Sequence, residues 1–184
     1  MLYTGIDHHK RYAVACTQDA QGRLVSQARL DGNTPEGFAN YFARLGAPSA
    51  VVIEACWNWG VLHDLLEETE GVAEVVLSHP AKNRIIAEAQ IKNDRIDASA
   101  LATLLRGNFV SRVHVPAKSV RERKNLIRQR LWLAQMRTRV RNRIHTVIER
   151  HPKLPRPAVK DLFCNRGKAW MNFEPLMDTN GYRA

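Results

Sequence analysis

Four acidic residues, at three places in the chain, have the type and spacing that phosphodiester chemistry uses. Asp7 ends a short apolar run, Leu2-Tyr3-Thr4-Gly5-Ile6, and Glu54 ends another, Ala50-Val51-Val52-Ile53. Asp94 and Asp97 lie three apart at the head of an alanine-rich helical stretch. Carboxylates at the ends of buried strands stand where α/β sheets place their sites. The i, i+3 spacing puts Asp94 and Asp97 on one helical face, and the small Ala98, Ala100 and Ala102 let that helix approach a sheet closely. Four converging carboxylates repel one another unless cations sit between them. An oxygen-only ligand set suits Mg²⁺ or Mn²⁺ rather than zinc. Two such ions activate a nucleophile and stabilise the leaving oxygen in phosphodiester cleavage.

Each acid also has an ordinary structural reading. Asp94 as helix N-cap, with Asp97 three residues on, resembles a capping box, and acids suit the first turn of a helix. An Asp after a strand, such as Asp7, is common. Glu54 is the hardest to explain away, because a Glu after four apolar residues needs a partner when buried. His8 and His9 beside Asp7, and His79 later, read first as structural histidines. Lys10 and Lys92 either touch phosphates or neutralise the acids. Trp57 and Trp59 read as packing over a sheet edge before they read as platforms for bases.

The elements that must position these residues follow from local pattern. Residues 2–7, Tyr12–Thr17 and Arg23–Leu30 read as strands joined by connections too short for parallel crossovers, hence as an antiparallel meander. Thr34-Pro35-Glu36-Gly37 is a helix start, and the helix it opens, with Phe38, Tyr41, Phe42 and Leu45 on one face, stops at Gly46. Val51–Glu54 is a fourth strand, Gly60–Glu68 a helix and Ala73–Ser78 a fifth strand. Helices over Pro80–Gln90 and Asp94–Arg106 follow. This order predicts an α/β, ribonuclease-H-like mixed sheet with flanking helices. Val113-His114-Val115-Pro116 reads as a linker, and Ala117 to about His151, free of Gly and Pro, as one long helix. Leu126, Leu133, Val140 and Val147 recur every seven residues along it, a partial coiled-coil signal. The expected divisions are a catalytic domain over 1–112, a basic helical extension over 117–151 and a tail over 152–184.

The charge is not spread evenly. The 184 residues carry 28 Lys/Arg against 18 Asp/Glu, a net charge of +10. Residues 118–153 alone hold twelve Lys/Arg against Glu122 and Glu149, so this segment accounts for the whole excess. Exposed helices ordinarily mix both signs, and so lopsided a helix implies a polyanion partner. Arg128, Arg130, Arg137, Arg139, Arg141 and Arg143 are the expected backbone contacts to nucleic acid, and the apolar stripe is the expected seam of a homo-oligomer. No apolar run approaches the ~20 residues of a membrane span. Asp7, Lys10 and Arg11 interrupt any signal peptide, which points to the cytoplasm. Cys16, Cys56 and Cys164 show neither zinc spacing nor a disulfide pattern.

Four segments occur in a telling order: Gly5-Ile6-Asp7-His8-His9-Lys10, Val52-Ile53-Glu54-Ala55-Cys56, Ser78-His79-Pro80-Ala81-Lys82 and Ile91-Lys92-Asn93-Asp94-Arg95-Ile96-Asp97-Ala98. Together they resemble the N-terminal part of the DEDD-type insertion-sequence transposases, the family that includes the RNA-guided bridge recombinases. The basic run Arg137-Thr138-Arg139-Val140-Arg141-Asn142-Arg143-Ile144-His145 is similar to the family's region after its RuvC-like domain. The resemblance runs from residue 3 to about 170. It implies a RuvC-like fold, a divalent metal, DNA strand exchange and a structured guide RNA, with the quartet on Asp7, Glu54, Asp94 and Asp97. One departure is Asn93, where the family often has Thr. A second is that family members continue into a domain bearing a catalytic serine. Ser26, Ser49, Ser78, Ser99, Ser111 and Ser119 match no such motif, and the expectation is a chain truncated before that domain.

The resulting expectation is a transposase or recombinase subunit. Its first rival is a non-catalytic nucleic-acid-binding fragment of such an enzyme. A sugar-kinase or actin-like ATPase also starts with a strand ending in Asp, but that class needs glycine-rich phosphate loops, and the ten glycines here are not clustered.

Overall fold

Short apolar runs broken by turn residues set the architecture of the N-terminal part. In the computed structural model, which describes residues 1–56, 58–82 and 93–172, these runs form β1 (Leu2–His8), β2 (Tyr12–Gln18), β3 (Leu24–Asp31), β4 (Ser49–Glu54) and β5 (Val72–Ser78). They make one sheet in the order β3-β2-β1-β4-β5. The tightly connected pairs β1–β2 and β2–β3 are antiparallel, whereas β1–β4 and β4–β5 are parallel. Parallel pairing requires a crossover. Helix α1 (Pro35–Leu45) lies between β3 and β4, and α2 (Trp59–Glu67) between β4 and β5. The start of α1 is the expected one: Gly37 N–H donates to Thr34 Oγ1 at 3.1 Å and Pro35 opens the helix, which ends at Gly46 with φ of 66°.

Both faces of the sheet are covered at its centre, which is why β1, β2 and β4 read as nearly continuous apolar runs, whereas the edge strand β3 alternates. On one face Ile6, Ala13, Ala15, Val51, Ile53 and Leu77 pack against Phe38, Tyr41 and Phe42 of α1 and Leu62 and Leu66 of α2. Trp59 joins this cluster, so it packs as expected. The same face carries a buried hydroxyl chain, with Thr4 Oγ1 2.7 Å from both Thr17 Oγ1 and Ser49 Oγ, and Thr17 Oγ1 2.7 Å from Tyr41 Oη. On the other face Ala50, Val52 and Val76 meet Leu101 and Leu105 of α3 (Asp94–Arg106), and Val14 and Cys16 meet Ala98. The mixed sheet with helices on both faces is the ribonuclease-H-like arrangement the element order predicts.

The start of α3 differs from the capping box. Asn93, not Asp94, is the N-cap: its Oδ1 accepts the Arg95 N–H at 3.1 Å. Asp94 is therefore the first helical residue, and its carboxylate is turned to other partners. Of the expected Pro80–Gln90 helix, Pro80 to Lys82 are helical; its remainder, with Lys92 and Trp57, lies outside the described residues.

The chain divides into two compact units, Met1–Val115 and Pro116–Ala184. The second is led by α4 (Lys118–Glu149), 32 residues long, or about 48 Å. Ile148 is its one buried residue, and Leu126, Leu133, Val140 and Val147 of the seven-residue stripe are exposed. Residues 152–172, with α5 (Asn165–Met171), rest on the end of α4 through Arg141, His145, Asp161 and Phe163. Among the described residues no helix is long and apolar enough to cross a membrane.

A candidate acidic metal centre

β1 and β4 run parallel in a register that ends on the pair Ile6 and Ile53. The next residue of each strand is an acid. Asp7 and Glu54 thus stand side by side at the carboxyl ends of two neighbouring strands, positions set by the sheet rather than by a loop. Asp94 reaches the same end from α3. Its Oδ2 accepts the Tyr12 hydroxyl at 2.9 Å. Between the two aspartates lies His9, whose Nε2 is 3.0 Å from Asp7 Oδ2 and 3.4 Å from Asp94 Oδ2. Asp7, His9 and Asp94 each offer a ligand atom within 4.8 Å of the others. Asp97, one turn further along α3, is exposed, and Glu54 is half-buried; neither belongs to that tight group.

His9 is fixed by the backbone. The β1–β2 pairing ends at His8 and Ala13, and the His9 N–H donates to the Tyr12 carbonyl at 2.9 Å, closing a turn over Lys10 and Arg11. Asn33, with φ of 49°, donates its Nδ2 to the His9 carbonyl at 2.8 Å. The His9 and Tyr12 ring centroids are 4.6 Å apart, and the Arg29 guanidinium lies 3.6 Å from the Tyr12 ring centre. Sequence reasoning gave His9 a structural role and passed over Tyr12 and Asn33. The one available signal was the placement of a His and a Tyr on either side of a tight turn directly after Asp7.

The charges of Asp94 and Asp97 reach Asp7, and those of Asp7 and Glu54 reach Cys56. Burial pushes the Asp7 carboxyl above its ordinary range. The charge and hydrogen bond of His9 oppose that rise, and the charges of Asp94 and Asp97 add to it. Burial likewise raises the Cys56 thiol, with further upward pushes from Glu54 and Asp7, so both strand-end carboxylates reach the surroundings of Cys56. The hydrogen bond to Asp94 holds the Tyr12 phenol up. A partly buried carboxylate with acidic neighbours is a poor place for bare negative charge and a good one for a cation. Carboxylate oxygens are hard ligands, and they suit a divalent cation of that class.

Of the six expected nucleic-acid contacts on α4, Arg128, Arg130, Arg137, Arg139 and Arg143 are exposed. Arg141 differs. Its Nη2 donates to both Asp161 oxygens, at 2.9 and 2.8 Å, and its guanidinium lies 4.3 Å from the Phe163 ring centre.

The family model for DEDD transposases of the IS110 type, described as transposase, matches residues 4–151. The match takes in both strand-end acids, α3 and the whole of α4. No curated protein matches the chain.

Proposed function

The chain belongs to the IS110-type DEDD transposase family, and we propose that Asp7, Glu54, Asp94 and Asp97 together hold Mg²⁺ or Mn²⁺ at a DNA phosphodiester that is cut and rejoined. The family's activity is DNA transposition by nuclease and recombinase chemistry, generally with divalent metals. The observation that carries the reading is the convergence of Asp7 from β1 and Asp94 from α3 on one imidazole, with Glu54 beside Asp7. When bound, the cation supplies charge stabilisation at the scissile phosphate and activates the attacking oxygen. The chain's own residues supply position. The sheet fixes Asp7 and Glu54, the seating of α3 fixes Asp94 and Asp97, and Tyr12 orients the Asp94 carboxylate.

In this reading the basic helix α4 holds nucleic acid through its phosphates, which positions the substrate without reading sequence. Choice of sequence then falls to a structured guide RNA, and the exposed stripe on α4 joins copies of the chain. The catalytic unit spans 1–112, the basic extension 117–151.

The test is cleavage of DNA by the protein in Mg²⁺ and in EDTA. Cleavage in Mg²⁺ alone, abolished in Asp7→Asn, Glu54→Gln, Asp94→Asn and Asp97→Ala proteins that still fold, is expected. Full cleavage by the Asp97→Ala protein sinks the four-acid assignment. DNA binding without cleavage in either condition leaves the binding-fragment reading in its place.

A further inference from the structure

A second set of ligand side chains shares no residue with the acidic centre. It lies on a single stretch of α2. His63 is 3% exposed, buried with Leu62 and Leu66 of the same helix and set edge-on to Trp59, with ring centroids 6.1 Å apart at 86°. Its Nδ1 is buried and makes no hydrogen bond. Two carboxylate oxygens nonetheless stand close to that nitrogen, Glu67 Oε2 at 3.3 Å and Asp64 Oδ1 at 3.7 Å. They are near enough for attraction but not aligned to accept from it. The three ligand atoms lie within 4.8 Å of one another. A buried polar nitrogen without a partner is costly and rare, and this one has two carboxylate oxygens within 3.7 Å.

The spacing is that of a coordination shell. A tetrahedral ion with ligand bonds of about 2.0–2.2 Å separates neighbouring ligand atoms by about 3.3–3.6 Å. From Nδ1 the Glu67 oxygen, at 3.3 Å, falls in that range and the Asp64 oxygen, at 3.7 Å, lies just beyond it. One imidazole nitrogen with two carboxylate oxygens is also the donor set of the Asp7, His9 and Asp94 group, and the two differ in that His63 is buried with an unpaired nitrogen whereas His9 is not. Imidazole favours zinc, cobalt and nickel over magnesium.

We propose that His63, Asp64 and Glu67 form a separate site for a transition-metal cation of the zinc and cobalt class, with water completing the shell. Its work is structural. α2 starts without the usual N-cap: Asn58 precedes it in the left-handed region with φ of 61° and makes no side-chain capping hydrogen bond, and no acid lies in the first turn. An ion bridging residues i, i+1 and i+4 fastens one turn to the next, and it does so in the helix that follows Glu54. Any ion held by the folded helix but not by the unfolded chain stabilises the fold by mass action.

The test uses the whole chain, stripped with EDTA and titrated with Co²⁺ in excess Mg²⁺, with the Asp7→Asn protein beside it to separate this site from the acidic centre. One equivalent of Co²⁺ with the visible bands of a tetrahedral nitrogen–oxygen site, displaced by Zn²⁺, is expected. Because His63 is buried and its replacement confounds folding, Glu67→Gln and Asp64→Asn carry the test. Each is expected to weaken Co²⁺ binding about tenfold or more and to abolish the rise in melting temperature that Zn²⁺ gives. The Asp7→Asn protein is expected to keep both. Unchanged Co²⁺ binding in Glu67→Gln overturns the proposal and leaves a plain His–carboxylate pair. Loss of the bound Co²⁺ in Asp7→Asn also overturns it, since the ion then belongs to the acidic centre.

Discussion

Gly5 of β1 lies directly against the Ala98 carbonyl of α3, closer than any side chain on Gly5 allows. A methyl group there would also stand 2.5 Å from Ala102 N and 2.8 Å from Leu101 Cβ. Two of these neighbours are backbone atoms, so no rotamer change relieves the contact. Ala98 and Ala102 are fully buried on the other side of it. The distance from Asp7, two residues after Gly5, to Asp94 and Asp97 thus depends on a glycine facing two alanines. Gly5→Ala is expected to lift α3, with a loss of about 1–3 kcal/mol in urea unfolding. It is also expected to weaken divalent-cation binding, read by titration calorimetry. Unaltered stability would show that α3 is seated by other contacts.

Asp7 is expected to make the cation-free protein less stable at neutral pH. Its folded pKa is raised above the ordinary value of 3.8, chiefly by burial. The folded state therefore binds a proton more readily than the unfolded chain. The stability linked to Asp7 is fully present below the unfolded pKa and is lost as pH rises through the folded pKa. In EDTA, Asp7→Asn is expected to stabilise the protein at pH 7, within the range of about 0.5–2 kcal/mol typical of such replacements. The gain should shrink toward acid pH, where wild-type Asp7 is itself neutral. Urea midpoints of both proteins at two pH values check this. A stabilisation independent of pH would mean that charge is not its source.

Tyr12 acts on the centre through Asp94. Its hydroxyl donates to the Asp94 oxygen that also faces His9, at 2.9 Å. Tyr12→Phe removes that donor while keeping the ring that faces His9 and Arg29. Losing an outer partner of a metal-binding carboxylate typically costs about 10–100-fold in affinity or activity. The expected signature is weaker cation binding with little change in melting temperature. A cleavage defect with undisturbed cation affinity would place the effect of Tyr12 elsewhere.

These sites were unequally legible in the sequence, for physical reasons. Asp7 and Glu54 could be found because burial on both faces makes β1 and β4 apolar, so an acid at a strand end stands out. The meander followed from connection lengths, and α1 from Thr34, Pro35 and Gly46. His9 and Tyr12 could not be placed, because their roles depend on α3 arriving from 82 residues along the chain. The cap of α3 shifted by one residue because Asn and Asp cap equally well. Local pattern does not decide between Asn93 and Asp94. His63 falls inside the expected Gly60–Glu68 helix, and nothing in the local pattern singles it out. Its unpaired nitrogen is a fact of orientation, and spacing alone does not reveal it.

Charge counting treats the six arginines of α4 alike, and the structure separates one of them. Arg141 is already held by an anion, the Asp161 carboxylate, and covered by Phe163. The Phe163 N–H and Arg141 together keep the Asp161 carboxyl below its ordinary range, so the pair stays formed at neutral pH. A phosphate must displace Asp161 to use Arg141, whereas Arg137, Arg139 and Arg143 are exposed. Each phosphate contact to duplex DNA contributes about −0.9 to the slope of log affinity against log salt. Arg139→Gln is therefore expected to flatten that slope by about 0.9, with stability unchanged. Arg141→Gln is expected to leave the slope nearly as it was and to loosen the segment after α4, read as faster proteolysis of residues 152–172. Asp161→Asn supplies the reciprocal check: it frees the Arg141 fork and is expected to steepen the slope. Fluorescence anisotropy of a labelled duplex across a potassium chloride series measures all three. An Arg141→Gln slope as flat as that of Arg139→Gln would show that Asp161 does not hold Arg141 back from the nucleic acid.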